Sequence, residues 1–435
     1  MSAQACVSPK KEVLKTALSI CKHNNAELLI LPMQGKHISE DQLSKKLYNY
    51  NIIYGDFKLN NKLKIKDYKV KPQAIRPLTG LEALVKGDRS AIIAGTKINV
   101  RAVANSNTRM AKLLMTTGAL TMPRYNLNHR VGRIALKDHE YGGVLVEIIN
   151  KKKYHARYIE IQNNGKCYDL DTFFDGDVIK GGMRINSLCI EPHVPLIAPK
   201  ALKATLKMIK ELRPYNLFVD DMFNGGGISH HNLNNIIELH HNYGKNQLSL
   251  ENELKENVNF LKLMLNVMPS DAKIYIKASN HNEVLTRYLA EGRFIREPQN
   301  LEIACDILKA TLNGANPLKT GIGYFMDIPD NVIFLERGQD VRILGYYMSE
   351  HGDKGANGSR GGPRQYSATL EKSMTGHSHA IYKHRHTVKY GTISQLHQRY
   401  NMGGQSNWSA TNGILHQNGR TQLINLVDEF YRGYK

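Results

Sequence analysis

Apolar residues recur along this chain in two rhythms, and the change comes near Gly181-Gly182. Before it, the spacing predicts a helix over 11–22, a strand over 27–32 and a second helix over 40–48. Residues 58–70 are basic and weakly alternating, which suits a surface strand or loop. The run 91–103 reads as a strand with its flanks. Residues 142–149, rich in Val, Leu and Ile, read as a buried strand. Residues 154–162 alternate and can pair with it as a hairpin across Asn150-Lys151-Lys152-Lys153.

From Ile185 onward, strand and helix alternate. Strands are expected at 187–190, 216–219, 273–278, 332–335 and 341–348. Helices are expected at 199–212, 232–241, 248–268, 283–291 and 301–312. The chain then turns β-like over 380–390, 413–416 and 421–427, the last two flanking Asn418-Gly419, a strong hairpin signal. Such alternation argues for an α/β layered domain. The expected division is an N-terminal α+β domain over 1–182 and a second domain over 183–435.

Composition narrows the picture. A chain of 435 residues with 41% hydrophobic content has room for two or three domains with proper cores. No run approaches the roughly 20 apolar residues needed to cross a bilayer, so no membrane partner is expected. The opening residues lack the basic start, apolar core and cleavage pattern of a secretory signal, which places the protein inside a cell. Cys6, Cys21, Cys167, Cys189 and Cys305 are scattered without a C-x-x-C, so neither a zinc ribbon nor a disulfide framework is suggested. A formal charge of +20 favours polyanionic partners, nucleic acid among them, although dispersed lysines also make ordinary solvated faces.

Short polar clusters follow the apolar runs of the second half. Glu191 and His193 sit two apart, on one side of an extended chain, where they can grip one cation. Asp221 and Asn224 follow Phe218-Val219. A carboxylate there can bridge two cations; Asp220 can also fill that role, and the spacing to Asn224 favours Asp221. Asn280 offers a neutral oxygen ligand, and the adjacent His281 can point at substrate and donate a proton to a leaving oxygen. His351-Gly352 opens a glycine-rich loop in which Lys354 and Arg360 can meet a phosphate. In Gly376-His377-Ser378-His379, two imidazoles can reach neighbouring metals. Each cluster alone is also what a surface turn or a lone histidine looks like. Taken together and in order, they suit a two-cation hydrolytic centre for phosphate esters.

This series resembles the calcineurin-like metallophosphoesterase superfamily, whose pattern runs D-x-H, G-D-x-x-[DN], G-N-H-[DE], H and G-H-x-H. The resemblance covers about residue 185 to the C-terminus. It implies a layered β-sandwich flanked by helices. It also implies two divalent cations, Mn²⁺ first, with Mg²⁺, Zn²⁺, Fe or Ca²⁺ as alternatives. One cation would take Glu191, His193, Asp221 and His379. The other would take Asp221, Asn280, His351 and His377. His281 would be the catalytic histidine and Asn224 a support, with a metal-bound hydroxide attacking phosphorus. The chain departs from the pattern at Glu191 (for Asp), Asp220 and Ser279 (for Gly) and Asn282 (for Asp or Glu).

Met115-Thr116-Thr117-Gly118-Ala119, residues 141–147, Tyr168-Asp169-Leu170-Asp171 and the loop 351–361 are similar to the phage T5-type pre-early DNase family. That resemblance implies DNA as partner, host DNA degradation as activity and the cytoplasm of an infected bacterium as location. The N-terminal domain would then handle DNA or mediate assembly, homo-oligomers included. The alternatives are a phosphatase or nucleotidase on the same centre, and a DNA-binding or assembly protein with a decayed metal site.

Overall fold

The computed structural model describes all residues except 38, 107–111, 233–234, 370, 399–400 and 434–435. Two sheets dominate. The first has six strands, in the spatial order Val332–Phe334, Lys273–Ile276, Asn216–Val219, Ser187–Ile190, Thr411–Leu415, Thr421–Asn425. Its first four strands run parallel, and Thr411–Leu415 joins antiparallel. The chain is thus α/β, as its alternation of strands and helices predicts.

Alternation along each strand decides what each face covers. Leu188, Ile190, Leu217, Val219, Ile274 and Ile276 pack with helix residues into one core. Cys189, Phe218 and Tyr275, between them in sequence, join a second core with Met115, Met374 and Val388 of the other sheet. The six-stranded sheet is therefore covered by helices on one face and by a sheet on the other. Helix Pro199–Leu212 shows how sequence builds the helical layer. Pro199 suits the first turn, and Ala201, Ala204, Thr205, Met208, Ile209 and Leu212 form one buried stripe. In Leu250–Val267 the Ser249 side chain caps the Asn252 N–H, with Glu251 and Glu253 in the first turn.

The second sheet has ten strands and spans the expected division at residue 182. Tyr382–His384 pairs antiparallel with Val100–Val103, so strands of both segments complete one another's backbone hydrogen bonding. A cut at 182 would separate neighbours within one sheet.

Other differences from the expected elements have local causes. The expected helix over 40–48 contains only a short 3₁₀ turn, Lys45–Leu47. The Glu40 carboxylate instead accepts from the Lys36 N–H at 2.7 Å and pairs with Arg124 at 2.9 Å. The expected strand over 341–348 is a tight hairpin, Arg342–Ile343 with Tyr346–Tyr347. Leu344 and Gly345 have φ of 50° and 80°, the turn that folds it back. The run 91–103 is two strands, Ser90–Ile93 and Val100–Val103. The helix expected from 232 is described from Ile236, residues 233–234 lying outside the described ones. Helices Arg130–Lys137 and Pro317–Gly323, and the three-stranded sheet of Lys166–Asp169, Thr172–Asp175 and Val178–Lys180, add to the elements expected.

Candidate metal centre

Glu191, Asp220-Asp221 and Lys277 to His281 all follow the C-terminal ends of adjacent parallel strands, where open α/β sheets bind ligands. His351 follows Tyr346–Tyr347 and His377 follows Lys372–Thr375, neighbouring parallel strands of the second sheet. Loops from both sheets thus meet at one place.

Two groups of ligand atoms converge there, each with its atoms within 4.8 Å of one another: Glu191, His193, Asp221 and His379, and Asp221, His351 and His377. Asp221 belongs to both. Its Oδ2 lies 3.4 Å from His193 Nε2 and 3.1 Å from His351 Nε2. His193 Nε2 is 2.8 Å from His379 Nε2, and His379 Nε2 is 3.0 Å from Glu191 Oε1. Asn280 joins the second group, its Oδ1 3.0 Å from His351 Nε2.

The donor set fits a divalent cation. Both Asp221 oxygens are buried without a hydrogen-bond partner. Such groups are costly unless something pairs with them. Burial pushes His193 and His377 down to about 4 and His379 to about 3, so these imidazoles are neutral near pH 7 with a lone pair to give. Burial opposes charge on Asp221, but His351, His281 and His193 outweigh it and hold its carboxyl well below the usual range. Burial likewise opposes charge on His351, yet the Asp221 and Asp220 carboxylates raise it to about 10. Glu191 is pushed up to about 7, chiefly by burial.

The backbone is strained at the same place. His193, Asp221, His377 and His379 all have positive φ, between 34° and 66°. Non-glycine residues held there cost about 1–3 kcal/mol each and cluster at functional sites. A built ligand cage gives a physical reason for four of them to lie together.

Glu191, with its longer arm, is accommodated by Gly376. A Cβ at position 376 would lie 2.4 Å from Glu191 Oε2. The His377 N–H also donates to both Glu191 oxygens at 3.0 Å. His281 stands beside the cage, its ring 4.6 Å from that of His193, with Nδ1 2.8 Å from the Asn224 carbonyl. Asn224 therefore supports His281 through its backbone. The loop behind it is held by Glu253, whose Oε1 accepts from the Asn224 and Gly225 N–H groups at 3.1 and 2.5 Å. Lys354 and Arg360 are exposed and bridge each other's backbone across the base of their loop. Among the described residues, neither side chain makes a hydrogen bond or ion pair with the cage.

Asp220 sits one layer out. Its Oδ1 accepts from His351 Nδ1 at 2.8 Å, and its Oδ2 lies 3.1 Å from Lys277 Nζ. Such a partner fixes the orientation of a ligating histidine. The Lys277 ammonium also donates to the Glu350 and Met374 carbonyls and to the Tyr390 hydroxyl. Nothing in the sequence marks Lys277, because a lysine after a strand ordinarily points to water. Asn282 is a brace: its Oδ1 accepts from the Phe223 N–H at 3.0 Å and its Nδ2 donates to the Lys277 carbonyl at 2.8 Å.

Fold and site together define an α/β protein with a buried group of Glu, His and Asp residues that could hold a divalent metal. The chain is similar to Protein A1 of Escherichia phage T5, 26% identical over 379 residues, which span 82% of this chain and 67% of that protein. That similarity relates it to a phage protein. No protein-family model and no solved structure matches it. No helix among the described residues is long and apolar enough to cross a membrane.

Proposed function

We propose that the chain is a divalent-metal-dependent phosphodiesterase that degrades DNA during phage takeover of a host, with a centre and layering of the calcineurin-like metallophosphoesterase kind. The observation that carries the reading is Asp221, whose Oδ2 stands between His193 and His351 and joins two ligand groups. Divalent cations, when bound, would supply Lewis acidity at the phosphoryl oxygens and a more acidic attacking water. Oxygen and imidazole donors without a thiolate suit Mn²⁺. His193, His377 and His379 enter neutral and give up no proton. Asp220 keeps His351 turned toward Asp221. His281 has its Nδ1 engaged by Asn224, so the proton it gives to the leaving oxygen is carried at Nε2. The net charge of +20 suits a polyanionic substrate. Residues 1–182 would help to hold the DNA.

The test incubates the full chain and Mn²⁺ with duplex DNA, single-stranded DNA, bis-p-nitrophenyl phosphate and the monoester p-nitrophenyl phosphate. DNA cleavage that Asp221→Ala and His281→Ala both abolish supports the reading. Release of phosphate from monoesters with DNA left intact would make the protein a phosphatase or nucleotidase. No turnover on any ester would make it a binding or assembly protein.

A further inference from the structure

Beside the metal centre runs a cleft of about 260 Å³ with cationic walls. Arg76 and Arg101 approach from the N-terminal segment, Arg364 and Lys389 from the C-terminal one, and among the described residues the lining holds no Asp or Glu. Ser378, between His377 and His379, also lines it. Lys389 pairs in register with Thr375, two residues before His377. The cleft therefore reaches the cage through the very loop that carries two of its histidines.

One group in it lacks the partner that burial demands. The Asn99 side-chain nitrogen is buried without a hydrogen-bond partner and lines the cleft. Lys389 is only 1% exposed, its ammonium 5.9 Å from the Tyr366 ring centroid, and the carboxylates that act on its charge, Glu191, Asp220, Asp353 and Glu350, are not among the residues lining the cleft. Arg76 and Arg364 are exposed at its mouth, and Arg101 pairs with Glu82. Buried donors with an arginine rim and no acid suit a chain of phosphates: guanidinium groups grip them at the mouth and an ammonium neutralises one inside.

We infer that this cleft binds the phosphodiester backbone of a nucleic-acid strand and leads it to the metal centre. The inference deepens the phosphodiesterase reading and rests on it. The N-terminal segment thereby acquires a definite role, in which Arg76 and Arg101 hold the strand whose scissile phosphate lies over Asp221. The ten-stranded sheet, in which Arg101 of Val100–Val103 pairs with Tyr382, holds that arginine in register with the catalytic half.

The experiment uses the full chain in EDTA and a fluorescein-labelled single-stranded oligodeoxynucleotide, read by anisotropy against salt. Arg76→Glu with Arg364→Glu should weaken binding at least tenfold and lower the slope of log K against log salt by about 1.4, two contacts at about 0.7 each on a single strand. Arg76→Gln with Arg364→Gln gives the same direction with less risk to folding, checked by circular dichroism. Lys46→Glu, an exposed charge reversal outside the cleft, is the control. Binding by both double variants within twofold of the wild type overturns the inference. So does loss of binding to phosphatidylglycerol vesicles while the oligonucleotide still binds, which would make the cleft a lipid site. With Mn²⁺, the double variants should lose more turnover on DNA than on bis-p-nitrophenyl phosphate. A wild type that cleaves nothing while the variants lose oligonucleotide binding would sink the enzymatic reading and leave the cleft standing. DNA cleavage unaffected by the variants would do the reverse.

Discussion

The ammonium of Lys277 lies 3.1 Å from Oδ2 of Asp220, with both side chains fully buried. That pair stands directly behind His351 and sets its orientation. Removing one member of a buried pair leaves the other uncompensated, at about 3–5 kcal/mol. Lys277→Met should therefore destabilise the fold by about that much in urea titration. It should also weaken Mn²⁺ binding, because Asp220 loses its anchor. A variant with wild-type stability would remove Lys277 from this role.

The chain has a single tryptophan, and Trp408 packs edge-on against His379 with ring centroids 4.0 Å apart. Cation binding at the Glu191 group should change its fluorescence, giving a readout that needs no substrate. Asp221→Asn should abolish the change. His281→Ala should keep it while losing about 10²–10⁴-fold in turnover. Loss of the fluorescence response in His281→Ala would instead make His281 part of the cage.

Metal affinity should rise with pH, and differently for the two groups. A cation must displace any proton on its ligands. Glu191, raised to about 7, holds a proton below that pH, so affinity of its group should climb about tenfold per unit up to about 7 and then level off. His351, raised to about 10, holds its proton across the neutral range, so affinity of its group should keep climbing to about 10. Trp408 fluorescence follows the first group, and calorimetry in buffers of different ionisation enthalpy counts protons for both. Release of no protons at pH 8 would contradict the assignment of His351.

Gly376 and Glu191 should behave as a matched pair. Gly376→Ala puts a methyl group 2.4 Å from Glu191 Oε2, so it should cost metal affinity. Adding Glu191→Asp withdraws that oxygen and should recover part of the loss. A double variant as impaired as the sum of the singles would show that the two positions do not share space.

Much of the architecture is legible in the residues. The strand Ser187–Ile190 and the helices Pro199–Leu212 and Leu301–Leu312 match their expected bounds: the strand is a short apolar run buried on both faces, and the helices carry apolar stripes. The hairpin about Asn418-Gly419 follows from local turn chemistry. The donors Glu191, His193, Asp221, Asn280, His351, His377 and His379 could be picked out because each follows an apolar run. Their grouping around Asp221 is expected only from the resemblance to the metallophosphoesterase pattern, since the residues alone do not show that loops from two different sheets meet at one place.

By itself, then, the sequence determined the element types, the α/β class and the set of side chains able to bind a cation, all consequences of local periodicity and residue chemistry. Asp221 is the expected member of both ligand groups, but that Asp220 braces His351 from behind came from long-range packing, because a carboxylate's second role depends on what packs against it. Only the tertiary structure buried Lys277 under the cage and wove Val100–Val103 into one sheet with Tyr382–His384. Strand pairing and burial are long-range choices, made where backbone hydrogen bonds and core packing are satisfied together.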